Sequence, residues 1–123
     1  MERVAELLSA LELERYLRWW PGDLPRWVAQ RVAMARALVL SPTVLLLDDP
    51  TLGLPHDEVR WWRRFLGCDA PSGLGHVTLP TTWVLASSDA GEWSGWAGRS
   101  SSVLAGNWSV DGADSELRPA TGG

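Results

Sequence analysis

The chain has 123 residues, 46% of them hydrophobic and 21% charged: one domain's worth of sequence, with enough apolar side chains for a packed core and too many for a disordered chain. Its net charge is −4 and all 11 of its cations are Arg, with no Lys, so it offers no general basic surface for nucleic acid. A single cysteine, Cys68, excludes an internal disulfide framework and fits a reducing compartment, the charged start is unlike a secretory leader, and no apolar run reaches membrane-spanning length, so a cytoplasmic chain is expected.

From the N-terminus, residues 2–17 are predicted as an amphipathic helix, with Val4, Leu7, Leu8, Leu11 and Leu17 recurring at three- and four-residue steps. Trp19-Trp20-Pro21-Gly22-Asp23 breaks it, because Pro and Gly together punctuate strongly. A second helix is predicted over 24–40, with Pro25 in its first turn and Trp27 or Val28, Val32, Ala35, Leu38 and Val39 on its apolar side. Ser41-Pro42 ends it, and 44–47 reads as a buried parallel strand closed by two carboxylates, Asp48 and Asp49. Acids often end strands for solubility alone, but the carboxyl end of such a strand is also where α/β proteins place ligand chemistry.

Pro50-Thr51-Leu52-Gly53-Leu54-Pro55 forms the next connection. His56 invites a metal-ligand or base reading, yet with Asp57 and Glu58 it better suits a helix start, where acids complement the macrodipole. The helix over 57–66 carries Val59, Trp62, Phe65 and Leu66 on one face and Arg60, Arg63 and Arg64 on another, a pattern of a solvated face more than of base stacking. A Gly- and Pro-rich loop over 67–81 leads to a second strand over 82–86, giving a strand-helix-strand unit. A helix remnant over 92–98, a closing hairpin of 101–104 with 107–110 turning at Ala105-Gly106, and a tail over 111–123 complete the chain. Nine Trp, including the pairs Trp19-Trp20 and Trp61-Trp62, cannot all face one core, so some must lie on a surface or an interface.

The run QRVAMARALVLSPTVLLLDDPTLGL at residues 30–54 resembles the second half of an ATP-binding-cassette (ABC) ATPase, the nucleotide-hydrolysing subunit of membrane transporters. The resemblance implies an α/β fold: a partial P-loop NTPase sheet with flanking helices, the Walker A half absent. Residues 1–40 would be the helical part, 43–110 would run from the Walker B strand to the closing hairpin, and 111–123 would be the tail. Asp48 would be the magnesium residue, acting through water, and Asp49 would stand in the catalytic position in place of the usual Glu, one methylene shorter.

Other positions depart from the family's pattern. Leu24, Pro25, Arg26, Trp27 and Val28 align with the signature loop Leu-Ser-Gly-Gly-Gln, and only Leu24 matches. That loop meets a γ-phosphate with a serine hydroxyl, backbone donors and glycines; Pro25 removes a hydroxyl and a donor, Trp27 adds bulk, and Arg26 can only offer a charge. Pro55 replaces an interface Asp, and Ser88 replaces the His that contacts the γ-phosphate. A sequence without Lys holds no Walker A phosphate cradle. Loss of the Walker A strand is expected to leave an unpaired edge and bare apolar surface.

The resemblance therefore implies a degenerate or truncated ATP-binding subunit of an ABC transporter. It would use ATP and Mg²⁺ only with another ABC ATPase chain or a membrane-spanning permease, and would not bind them alone. Such a chain would be peripheral to the inner face of the cell membrane. A non-enzymatic docking module on the same scaffold, or a decayed fragment, are the alternatives.

Overall fold

A computed structural model describes residues 1–67, 77, 79, 80, 82–93, 100–104 and 107–111. The chain divides after Ser88 into two compact units.

In the first unit, helix α1 spans Glu2–Ala10. It stops seven residues short of the expected end, and the reason is a Schellman closure. Glu12 takes the left-handed position with φ 57°, its N–H donates to Ser9 O at 3.0 Å, and the Leu13 N–H reaches back to Leu8 O at 2.8 Å. A glycine at that position would have marked the stop; a glutamate conceals it. One turn of 3₁₀ helix at Glu14–Tyr16 and another at Pro21–Asp23 carry the chain to the next helix.

Helix α2 spans Arg26–Leu38 and starts behind Pro25, whose extended backbone holds the N-cap position. Its buried residues are Val28, Arg31, Met34 and Leu38, so the core stripe is turned away from the predicted Val32, Ala35 and Val39, and an arginine lies on it. Helix α3 spans His56–Phe65 and buries Glu58, Trp62 and Phe65, at steps of four and three. Gly67 at φ 77° closes its C-terminal end.

Strand β1 (Val44–Asp48) and strand β2 (Thr82–Ala86) pair in parallel in the register Val44↔Thr82 through Asp48↔Ala86. The core of this unit is Leu7, Leu11, Leu13, Val28, Leu38, Leu45, Trp62, Phe65 and Leu66, all 5% exposed or less. Each such side chain contributes about 1.5–3 kcal/mol relative to exposure. Trp19 and Trp20 lie on the surface and Trp62 in the core, so the tandem tryptophans do divide between the two environments.

The second unit contains a 3₁₀ turn at Ala90–Trp93 and an antiparallel hairpin of β3 (Ser100–Leu104) and β4 (Asn107–Asp111). Residues 94–98 of the expected helix remnant and the Ala105-Gly106 turn lie outside the described residues, as do Cys68 and most of the 67–81 loop. Among the described residues, no helix is long and apolar enough to cross a membrane.

Candidate functional site

The parallel strands end together, and their ends assemble the acids. Asp48 is the last residue of β1, opposite Ala86. Its side chain is exposed and has no hydrogen-bond or ion-pair partner among the described residues. Asp49 turns the chain sharply out of the sheet with φ 39°, a left-handed value that Asp tolerates better than most residues. Its N–H donates to Ala86 O at 2.7 Å, which extends the ladder by one rung beyond the strand.

The Asp49 carboxylate is engaged. The Ser88 N–H donates to its Oδ1 at 2.9 Å and the Ser88 hydroxyl to the same oxygen at 3.2 Å. Two residues 39 apart in sequence, in the positions where the family resemblance expects a catalytic acid and a phosphate-sensing His, are thus joined directly. Asp48 and Asp49 are adjacent in sequence but differ in state, the first open to solvent and the second holding β1 to the end of β2.

The connection after Asp49 is a tight coil. The Leu52 N–H donates to Asp49 O at 3.1 Å and the Leu54 N–H to Thr51 O at 3.0 Å, with Pro50 and Thr51 buried. Arg26 reaches this coil from the first turn of α2, its Nη2 donating to Leu52 O at 2.9 Å. Gly53 is favoured here by its backbone, and a side chain would find room. It sits at φ 74°, and a Cβ on it would come within 3.4 Å of Arg26 Nη1. The signature-aligned stretch therefore meets the residues after the acids through Arg26. Leu24 is half-buried, Pro25 caps α2, Trp27 lies edge-on to Tyr16 with ring centroids 5.9 Å apart, and Val28 is wholly buried. The Arg26 side chain is exposed but bonded.

Arg31 and Glu58 escaped the sequence reading. Glu58, expected to decorate a helix start, is buried, and Arg31 meets it with Nε donating to Oε2 at 3.1 Å and Nη2 to Oε1. Arg31 Nη1 also donates to Leu11 O at 3.1 Å and to Glu12 Oε2 at 2.8 Å. The guanidinium lies 3.6 Å over the Trp61 ring and 4.9 Å from that of Trp27, an arrangement that favours a cation electrostatically. The available signal was an Arg at a three-residue step from both Val28 and Met34, a stripe that the predicted apolar side passed over in favour of Val32, Ala35 and Val39. Helix α2 thus grips the acid-bearing segment at two points, Arg26 on the coil and Arg31 on the helix that follows it. His56 is exposed at the start of α3.

A single open carboxylate at a strand end suits Mg²⁺, a hard cation that keeps several waters and takes one or two carboxylates plus substrate phosphates. Among the described residues no group of three or more His, Cys, Asp or Glu could hold a metal by itself. The phosphates of ATP fit less well, since the sequence has neither Lys nor a glycine-rich strand-to-helix loop to cradle them.

No family model matches the chain, and no solved structure does. Curated proteins do. The chain is 36% identical over 94 residues to a probable sulfate/thiosulfate import ATP-binding protein, CysA, of Chlorella vulgaris, covering 74% of this chain and 36% of that one. It is 47% identical over 68 residues to CysA of Synechocystis, covering 53% and 19%. A spermidine/putrescine import ATP-binding protein, PotA 1, of Pseudomonas aeruginosa is 49% identical over 53 residues, covering 43% and 14%. The chain spans about a third or less of the length of these relatives. Over the matched residues the chain is related to the ATP-binding subunits of ABC transporters.

Proposed function

We propose that this chain is a degenerate ATP-binding subunit of an ABC transporter, contributing to ATP binding and hydrolysis coupled to transport only when a partner chain supplies the phosphate cradle. The observation that carries this reading is the exposed Asp48 carboxylate at the mouth of the parallel strands, beside a second acid tied down by Ser88. Bound Mg-ATP would supply the electrophilic γ-phosphorus. Asp48 would hold the magnesium through water. Asp49 would orient the attacking water, and its Oδ2, the oxygen to which Ser88 does not donate, would accept the proton. Its shorter side chain and the loss of the family's His at Ser88 make it a weak base for this task, so turnover is slow. The partner is a Lys-bearing ATPase chain of the same family, a permease, or both. Localisation at the inner face of the membrane follows from that assembly.

The test is reconstitution. The chain is combined with a Lys-bearing ATP-binding subunit from its own cells, and ATP hydrolysis is compared for the natural sequence and Asp48→Asn. Loss of the chain's contribution with Asn supports the reading. An unchanged rate transfers the role to a non-enzymatic docking module, a second reading that the existing bonds of Asp49 to Ser88 and of Arg26 to Leu52 favour, because both groups are already spent on structure.

A further inference from the structure

Helix α2 carries a second apolar stripe. Its core stripe is Val28, Arg31, Met34 and Leu38, while Val32, Ala35 and Val39 face elsewhere and are half-buried. With Val4 of α1 and Leu17 and Trp19 of the connection between the helices, they wall an open groove of about 390 Å³. Val4 is 41% exposed, Leu17 63% and Trp19 49%, so this apolar lining meets solvent. Two polar side chains complete it. Tyr16 contributes a phenol, and Arg36, exposed on α2, has no hydrogen-bond or ion-pair partner among the described residues. No Asp or Glu is among the lining residues.

We infer that this groove binds a free fatty acid, its single hydrocarbon chain lying along Val32, Ala35 and Val39 and its carboxylate paired with the Arg36 guanidinium. A cavity of this size falls within the range of small-molecule sites, about 300–1,000 Å³, which are mostly apolar with a few polar groups that fix orientation. A lone Arg among aliphatic walls selects an anion, and its planar fork matches a carboxylate. Polypeptide fits less well, whether of this chain or another. An extended segment would bring an N–H and a C=O per residue into a groove whose only polar side chains are Arg36 and Tyr16. Two turns of an α-helix, about 10 Å across with a pitch of about 5.4 Å, occupy about twice the groove's volume. Neither Asp48 nor Asp49 lines the groove, so the inference goes beyond the nucleotide reading and does not rest on it.

The experiment measures binding of decanoate to the full 123-residue chain by isothermal titration calorimetry, below micelle-forming concentrations. Decanol and decyltrimethylammonium serve as neutral and cationic chains of equal length. Decanoate is expected to bind at least about three-fold more tightly than decanol, the preference an exposed ion pair gives. Arg36→Gln removes the preference and leaves decanol binding unchanged. Ala35→Trp, which fills the groove from its wall, abolishes binding of both, and Leu40→Glu, at an exposed leucine that does not line it, changes neither. The inference is overturned if a chain that circular dichroism shows to be folded binds no decanoate, if decyltrimethylammonium binds as tightly, or if the preference survives Arg36→Gln. It is also overturned if folded Ala35→Trp still binds, or if the chain elutes as a dimer that Ala35→Trp makes monomeric, since the groove then belongs to a second copy. If Ala35→Trp does not fold, the Arg36→Gln comparison decides alone.

Discussion

Arg31 shows how much a single side chain can determine. It donates to four oxygens, on Glu58, Glu12 and the Leu11 carbonyl, while lying over Trp61. Removing one member of a buried pair leaves an uncompensated charge, so Arg31→Met, which takes the cation from the buried Glu58, is expected to cost about 3–5 kcal/mol, read as a lowered urea midpoint. Arg31→Met combined with Glu58→Leu should recover most of that loss, because two apolar residues of similar size leave no charge behind. Asp49 and Ser88 set a smaller scale. Asp49→Ala removes the acceptor of both Ser88 bonds, whereas Ser88→Ala removes only the hydroxyl and keeps the backbone donor. Thermal melts should therefore rank Asp49→Ala as the more harmful, by about 1 kcal/mol. Asp49→Asn, which retains an acceptor oxygen and tolerates the left-handed backbone, should lie close to the natural chain.

The elements were legible where their cues are local. The aliphatic run 44–47 is β1 with one more residue, the 82–86 strand pairs with it in parallel, and α3 buries the Trp62, Phe65 and Leu66 face read from its spacing. The helix over 2–17 was overextended because its stop lies in a backbone angle, and Glu12 carries no composition cue for φ 57°. The Arg31–Glu58 bond was invisible for another reason. It spans 27 residues, and each partner taken alone looks like an ordinary surface charge. The coil between β1 and α3 offers the test at this scale. Gly53→Ala places a side chain at a φ of 74° that L residues rarely adopt, and should cost about 1–2 kcal/mol. Protection from hydrogen exchange at Leu52 and Leu54 should fall more than in α1, because the disturbed bonds belong to the coil.

For the molecule as a whole, the proposed function leaves the phosphates of ATP to a partner, since the sequence has no Lys for a Walker A cradle. The purified chain should therefore show no rise in melting temperature with ATP and Mg²⁺. A clear dose-dependent rise would establish an autonomous nucleotide site and overturn the partner requirement. The family relationship was readable from residues 30–54, since helix, break, strand and acids follow one another without gaps. The joining of Asp49 to Ser88 was not, because only the parallel pairing of two distant strands brings them together.

The Arg31–Glu58 pair also constrains how such a sequence changes over generations. Replacing Arg31 first by an apolar residue passes through a chain in which the buried Glu58 has lost its cation, so the pair cannot be exchanged in that order without a folding defect in between. The loop aligned with the phosphate signature carries no such penalty, since Pro25 and Trp27 sit at a helix cap and on its flank. No charge is stranded when either is replaced, although Trp27 packs edge-on to Tyr16 and the adjoining Val28 belongs to the core. The fold is thus held by a lock whose two halves cannot be turned in just any order.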